Sequence, residues 1–406
     1  MTLTTPVSHP SATPAHAHLA VSTVFFVNGA ILASWVPHIP TVGLRFSLGE
    51  GALGLVLLAV AVGAVTALSL CGRLIARFGS RAVTRVSTVL FCIALPLPLL
   101  APTLTWLLVA LAFFGMANGT MDVAMNAQAA RLEHLYRRPI MSSFHALFSF
   151  GGLVGAVSAA LWLSLGTSPI THTAVTAAVL LVVGAAALTR LIPRPAPNAV
   201  SVSSGISRSG HDNATDASTE SSPEPRRTLA LLGVLACIAL VSEGAMVDWS
   251  ALYMRQLGAT AGLAATAYAA ISLTMMIGRF SGDALRSRFG ATGLLRYSAL
   301  FAAFGLGAAL LAPTPTLALL GFAAVGLGLA NLVPLLFSAA ANLPGIASED
   351  GLAAVATAGY VGFLVGPPVI GLAAEVTSLA AALGLMALAL LLLVSFAGVA
   401  NPRRSG

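Results

Sequence analysis

The sequence predicts an all-α integral membrane protein with twelve transmembrane helices in two six-helix, pseudo-symmetric bundles. Three observations carry this. Only 8% of the 406 residues are charged, 57% are apolar and the mean hydropathy is +0.93, whereas a soluble chain carries roughly a quarter charged residues. About twenty apolar residues cross a bilayer, so a chain of this length holds about a dozen crossings with their loops. The arginines, finally, fall almost entirely on one side of those crossings. So little charge cannot cover a soluble globule, which excludes a cytosolic enzyme, a secreted disulfide scaffold and a disordered chain.

Residues 1–17 are rich in Thr, Pro, Ser and His and lack Lys and Arg. They read as a disordered cytoplasmic tail, not as the basic leader of a cleaved signal peptide. Apolar runs between charges and turn signals then predict spans at 18–36, 51–72, 82–101, 105–128, 141–166, 171–192, 228–250, 261–281, 291–312, 315–340, 351–374 and 378–399. The first six form an N-terminal bundle over 18–192 and the last six a C-terminal bundle over 228–400. Residues 193–227 have too few apolar side chains to bury and are expected to be a cytoplasmic linker; 401–406 are a short cytoplasmic tail. Every basic residue is Arg. With the first tail in the cytoplasm, all but Arg45 and Arg255 lie on that side: in the 2–3 and 4–5 loops, around the linker, at the turn after span 8 (Arg279, Arg286, Arg288 and Arg296) and in the last tail. The positive-inside rule therefore places both termini in the cytoplasm and the chain in the cell (inner) membrane. Basic residues dispersed this way do not form a nucleic-acid patch.

The halves repeat at a shift of 211 residues. Leu74-Ile75-Ala76-Arg77-Phe78-Gly79 recurs as Leu285-Arg286-Ser287-Arg288-Phe289-Gly290, Leu100-Ala101-Pro102-Thr103 recurs as Leu311-Ala312-Pro313-Thr314, and Gly115 falls on Gly326. The shift preserves span order, so the two bundles share one orientation and can rock about a central site. The segment Gly72-Arg73-Leu74-Ile75-Ala76-Arg77-Phe78-Gly79-Ser80-Arg81 resembles the 2–3 loop of the major facilitator superfamily, Gly-x-Leu-x-Asp-Arg-x-Gly-x-Arg, with Ala76 where the family has Asp. Gly278-Arg279-Phe280-Ser281-Gly282-Asp283 is similar to the companion loop. The resemblance implies that fold, and loop or gating roles for Gly72, Arg77, Gly79, Arg279, Asp283 and Arg288.

Ionisable groups within spans cost roughly 2.5–3.5 kcal/mol on insertion scales, which makes each a functional candidate. In span 4, Asn118, Asp122 and Asn126 stand at i, i+4, i+8 on one helix face. Span 5 carries Ser142, His145 and Ser149; His145 within reach of Asp122 would make a proton-coupling pair, and a helix–helix hydrogen bond is the alternative. Span 7 holds Glu243, a deep second coupling candidate, and Asp248 nearer the far mouth. Asn28, Asn331, Trp35, Trp249, Tyr268 and Tyr360 are substrate-binding candidates, the aromatic ones by stacking on a sugar-like ring; Trp and Tyr at span ends also serve as interface anchors. These segments resemble the fucose-permease branch of the superfamily: Asp122 with Asn126 four residues on, His145 before Phe148-Ser149-Phe150-Gly151, and Gly244-Ala245 with Trp249-Ser250. That resemblance implies proton-coupled uptake of a small polar solute with Asp122 as the proton carrier.

The expected activity is secondary transport by alternating access, as proton symport of a sugar-like solute, with drug or metabolite antiport as the alternative. The family's antiporter signature, Gly-x-x-x-Gly-Pro-x-x-Gly-Gly in span 5, is not matched by Gly151-Gly152-Leu153-Val154-Gly155-Ala156; a similar string, Gly362 to Pro368, occurs in span 11. No nucleotide loop, metal cluster or nucleophile elbow points to an enzyme. Cys71, Cys92 and Cys237 match no metal or redox spacing. The expected partners are a small-molecule substrate, protons and the bilayer, with no cofactor, no metal, no nucleic acid and a monomeric chain.

Overall fold

The computed structural model describes residues 14–136, 140–193, 223–346 and 348–400. The expected tails (1–13 and 401–406) and residues 194–222 of the expected linker lie outside these. The described residues are helical, and twelve helices are long and apolar enough to cross a membrane. They are span 1 (Ala15–Arg45), span 2 (Glu50–Ala67), span 3 (Ser80–Leu100), span 4 (Leu104–Glu133), span 5 (Ser143–Ser164) and span 6 (Pro169–Leu188). After the linker come span 7 (Pro225–Gln256), span 8 (Ala261–Gly282), span 9 (Ala284–Leu311), span 10 (Pro315–Ala341), span 11 (Ala354–Val376) and span 12 (Leu379–Ala400).

The helices depart from the sequence reading where proline or glycine acts. The chain is already helical at Pro14, inside the expected tail, and at Pro223, inside the expected linker. Span 3 is interrupted after Ala94 and resumes at Leu97, around Pro96. Span 10 breaks between Leu329 and Leu332; Pro334 has no N–H to offer the carbonyl of Ala330. One helical stretch, Ala261–Leu311, carries spans 8 and 9 and is kinked at Gly290, whose φ is +71°. Gly79, its repeat partner, turns span 2 into span 3 with φ +81°. L side chains rarely adopt that left-handed region, so glycine at both positions follows from the turn itself.

The repeat extends to packing. A Cβ on Gly115 of span 4 would run into the carbonyl of Val60 in span 2, and one on Gly326 of span 10 would run into the carbonyl of Ile271 in span 8. Both pairs are related by the shift of 211. Thr103 and Thr314 likewise cap spans 4 and 10, their hydroxyls accepting from the backbone N–H of Trp106 and Leu317 at 3.4 Å each. Spans 1 and 5 map on spans 7 and 11 at a slightly larger shift of 215: Gly29 lies on Phe148 and Gly244 on Phe363.

The halves meet at the end of the bundle opposite the first tail and the linker. There Gly54 of span 2 lies against Pro367 and Gly371 of span 11, and Gly262 of span 8 against Ser164 of span 5. Two polar links join the same end. Glu375 Oε2 accepts from the backbone N–H of Gly51 at 2.9 Å, at the start of span 2. Gln256 Nε2 donates to Glu50 Oε1 at 2.8 Å. Carboxylates at a helix start answer the unpaired N–H groups and the positive end of the helix dipole.

Candidate functional site

The candidate site lies midway between the halves, at spans 1, 5, 7 and 8. Glu243 projects from span 7 and Arg279 from span 8; Arg279 Nη2 and Glu243 Oε1 are 3.3 Å apart, with side chains 21% and 24% exposed. Arg279 Nη1 also donates to Ser149 Oγ in span 5 at 2.9 Å. The Ser149 hydroxyl donates in turn to the carbonyl of His145 at 3.2 Å, the residue one helical turn earlier. An acid, a guanidinium and a hydroxyl thus form a chain that starts in the second half and ends in the first.

This chain lines a cavity of about 30 Å³, room for a single water, together with Tyr268, Ser272 and the apolar Val247, Ile271 and Met275. The sequence reading put Arg279 at the turn after span 8. The helix instead runs past it as far as Gly290, so Arg279 faces Glu243 and Ser149 well inside the bundle.

A second group of polar side chains stands on the first half. Asn28 Nδ2 of span 1 donates to Asn118 Oδ1 of span 4 at 3.2 Å. Two turns further along span 4, Asn126 Nδ2 donates to Asp122, to its backbone oxygen at 2.9 Å and to its carboxylate Oδ1 at 3.2 Å. Asp122 has no cationic partner among the described residues. Tyr360 of span 11 lies within electrostatic reach of both Asp122 and Glu243, and Tyr268 of span 8 within reach of Glu243, Arg279 and Asp248. His145 and Tyr360 occupy equivalent positions at the shift of 215 and are both exposed, although they sit between charged groups of the bundle interior.

Other sequence candidates lie elsewhere. The His145 ring packs edge-on against Phe25 at 5.4 Å, and among the described residues no hydrogen bond or ion pair joins it to Asp122. Trp35 is buried against Phe114, and Trp249 is fully buried with its indole N–H unpaired; both belong to helix packing. Asn331 sits at the break in span 10 and donates to the carbonyl of Gly278 in span 8 at 3.1 Å, tying the two helices together. Of the loop residues, Gly72 is exposed, and Arg77 and Arg288 each lie over the ring that follows, Phe78 at 5.2 Å and Phe289 at 5.5 Å. The side chains of Asp283 and Ser142 lie outside the described residues.

Sequence reasoning missed a buried imidazole pair in the first half. His38 Nε2 and His172 Nδ1 are hydrogen-bonded at 2.9 Å, and Ser158 Oγ is 3.4 Å from the far nitrogen of His172. It also missed Glu50, Gln256 and Glu375 at the closed end. No local motif marks these residues, because each partner comes from a distant helix.

Twelve spans in two halves, with an ion pair at the seam between them, are the architecture of a membrane transporter. The Major Facilitator Superfamily profile matches residues 20–349, and the chain belongs to that family. An uncharacterized MFS-type transporter of Yersinia pestis is 36% identical over 370 residues, covering 90% of this chain and 91% of its own. Membrane protein MosC of Rhizobium meliloti is 36% identical over 390 residues, covering 95% and 91%. Among solved structures, the nucleoside transporter NupG superposes with a TM-score of 0.69 at 14% identity, over 94% of this chain and 98% of that one. A D-xylose-proton symporter does so with 0.68 at 16%, over 95% and 99%. The protein is thus a membrane transporter and not an enzyme.

Proposed function

We propose that this transporter couples the entry of protons to the uptake of a small, polar, sugar-like solute by alternating access. The observation that supports it best is the hydrogen-bonded chain from Glu243 through Arg279 to Ser149, which joins the halves at the place where a solute has to sit. A polyhydroxylated solute offers donors and acceptors that replace the Arg279–Ser149 bond as the halves separate. The two acids then take different parts. Glu243 is neutralised by Arg279, whereas Asp122 has only the Asn126 amide, so Asp122 is the acid whose charge is left to a proton. An ionised carboxylate resists passage through an apolar seam, and protonation removes that cost. Fold neighbours named as a nucleoside transporter and a D-xylose-proton symporter agree with a hydroxyl-rich solute. In this reading the closed end faces outward, both termini lie in the cytoplasm, the membrane is the cell (inner) membrane, and the chain works as a monomer.

Asp122→Asn tests the coupling. In vesicles energised by a proton gradient, the variant should lose uphill accumulation and keep exchange of internal for external solute. Normal accumulation by the variant would refute the role of Asp122. Thermal-shift screening of the purified protein against pentoses, hexoses, nucleosides, organic acids and drugs identifies the solute. The alternative, export by antiport, has in its favour only the string from Gly362 to Pro368 in span 11; comparing right-side-out with everted vesicles separates the two directions.

A further inference from the structure

The first half carries an apolar groove of about 450 Å³ between spans 2 and 3, floored by span 4, within the size range of specific ligand sites. One face of span 3, from Ala82 to Leu90, forms a wall roughly 12 Å long at 1.5 Å per residue. Leu74 and Phe78 at the end of span 2's helix form the opposite rim, and Phe113 and Met116 the floor. Span 3 packs on spans 1, 2, 4 and 6, and Val86 on the groove wall is 59% exposed, so the groove opens to the bilayer and not to the central cavity. Its mouth is basic. The guanidinium of Arg77 lies over the ring of Phe78, which is itself a rim residue. Arg73 stands one turn before it and Arg81 just beyond Gly79; the buried Nε of Arg81 has no hydrogen-bond partner.

The repeat supplies an internal control. At the shift of 211, Val86 becomes Tyr297, Phe78 becomes Phe289 and Ala117 becomes Gly328. Tyr297 packs edge-on against Phe289 at 5.4 Å, occupying the corresponding rim with a side chain of the protein itself. Span 9 also presses Ala302 onto Gly328, the position that Ala117 holds in the first half. The open groove is therefore a feature of the first half, produced by specific residue differences.

We propose that this groove is a binding site for an anionic diacyl phospholipid, with an acyl chain between spans 2 and 3 and the headgroup phosphate beside Arg77 and Arg73. Hydrocarbon is the surrounding solvent, so an acyl chain fits the apolar wall, and the arginines select the charge. Juxtamembrane basic residues attract anionic headgroups in the same way. The test is native mass spectrometry of delipidated, purified protein with dioleoyl phosphatidylglycerol and dioleoyl phosphatidylcholine. The wild type should retain phosphatidylglycerol over phosphatidylcholine. Val86→Tyr, which copies the second half, should lower retention of both lipids about tenfold by filling apolar space. Arg77→Gln, in the exposed last turn of span 2's helix, should lower phosphatidylglycerol about fivefold and leave phosphatidylcholine alone. Leu320→Trp, a lipid-facing control in span 10, should change neither. Equal retention of the two lipids by the wild type, or wild-type behaviour of Val86→Tyr and Arg77→Gln, would overturn the proposal. So would an equal loss in Leu320→Trp. A wild-type dimer that Val86→Tyr dissolves would assign the groove to a second copy of the chain instead, and would also overturn it.

Discussion

The two halves share turns, caps and glycine contacts, yet they place their polar groups differently. In the first half these groups gather at one end. Arg81, Arg85, Gln128 and Arg131 hold the carbonyls of Thr189, Leu188, Ile192 and Pro193, where span 6 leaves the bundle. The fully buried Gln128 also donates to Ser80 at 2.7 Å and accepts from the N–H of Ile192 at 3.0 Å. In the second half the equivalents of Arg81, Gln128 and Arg131 are Thr292, Ala339 and Asn342, and the buried hydroxyl of Thr292 has no partner. In the centre the contrast reverses. Asn28 of the first half corresponds to Glu243 of the second at the shift of 215; the first makes a neutral amide pair with Asn118, the second an ion pair with Arg279. A duplicated scaffold thus carries a braced helix end in one half and charge at the seam in the other.

The largest expected effect comes from breaking the ion pair. Arg279→Ala leaves Glu243 without its cation and removes the bond to Ser149. Transport should be lost, and stability in detergent should fall by about 3–5 kcal/mol, the cost of an uncompensated buried charge. Glu243→Gln with Arg279→Gln removes both charges and should recover most of the thermal stability but not transport. A double variant no more stable than Arg279→Ala would show that the pair matters by shape alone. Gln128→Ala ranks next. It orphans the N–H of Ile192 and the hydroxyl of Ser80, so thermal unfolding should show a loss of about 1–3 kcal/mol. Gly79→Ala and Gly290→Ala follow, each expected to cost about 1–2 kcal/mol through the left-handed turn. Equal melting shifts at the two positions would support equivalence of the turns, and a shift at only one would break it.

The spans were legible because apolar runs and charges set them, and the turn at Gly290 because it repeats the loop at Gly79. The pairing of Asn126 with Asp122 follows from four-residue spacing on one helix. Partners on different helices were not legible. Hydrophobic periodicity shows which face a helix buries but not which helix it meets, so His38 with His172, 134 positions apart, and Glu375 with Gly51, 324 apart, carry no sequence signal. Arg279 drew a loop or gating role from the resemblance of Gly278–Asp283 to the companion loop, although the expected span 8 ran to 281; its partner Glu243 lies on another helix, which no local pattern names. Trp35 and Trp249 read as stacking groups from residue type alone, and burial between helices decides otherwise.

The amide pair gives the smallest effect and the sharpest contrast with the ion pair. Asn28 is buried and donates to Asn118 across spans 1 and 4. Interhelical hydrogen bonds in membranes average only about 0.6 kcal/mol, because the separated helices find other partners. Asn28→Ala should therefore shift thermal stability barely beyond error. If the amides only join spans 1 and 4, the apparent KM of transport should stay unchanged as well. If Asn28 also reaches the solute, KM should rise while stability holds. A loss of stability approaching that of Arg279→Ala would mean that the first half, too, depends on a polar group at its centre, and the asymmetry between the halves would fall.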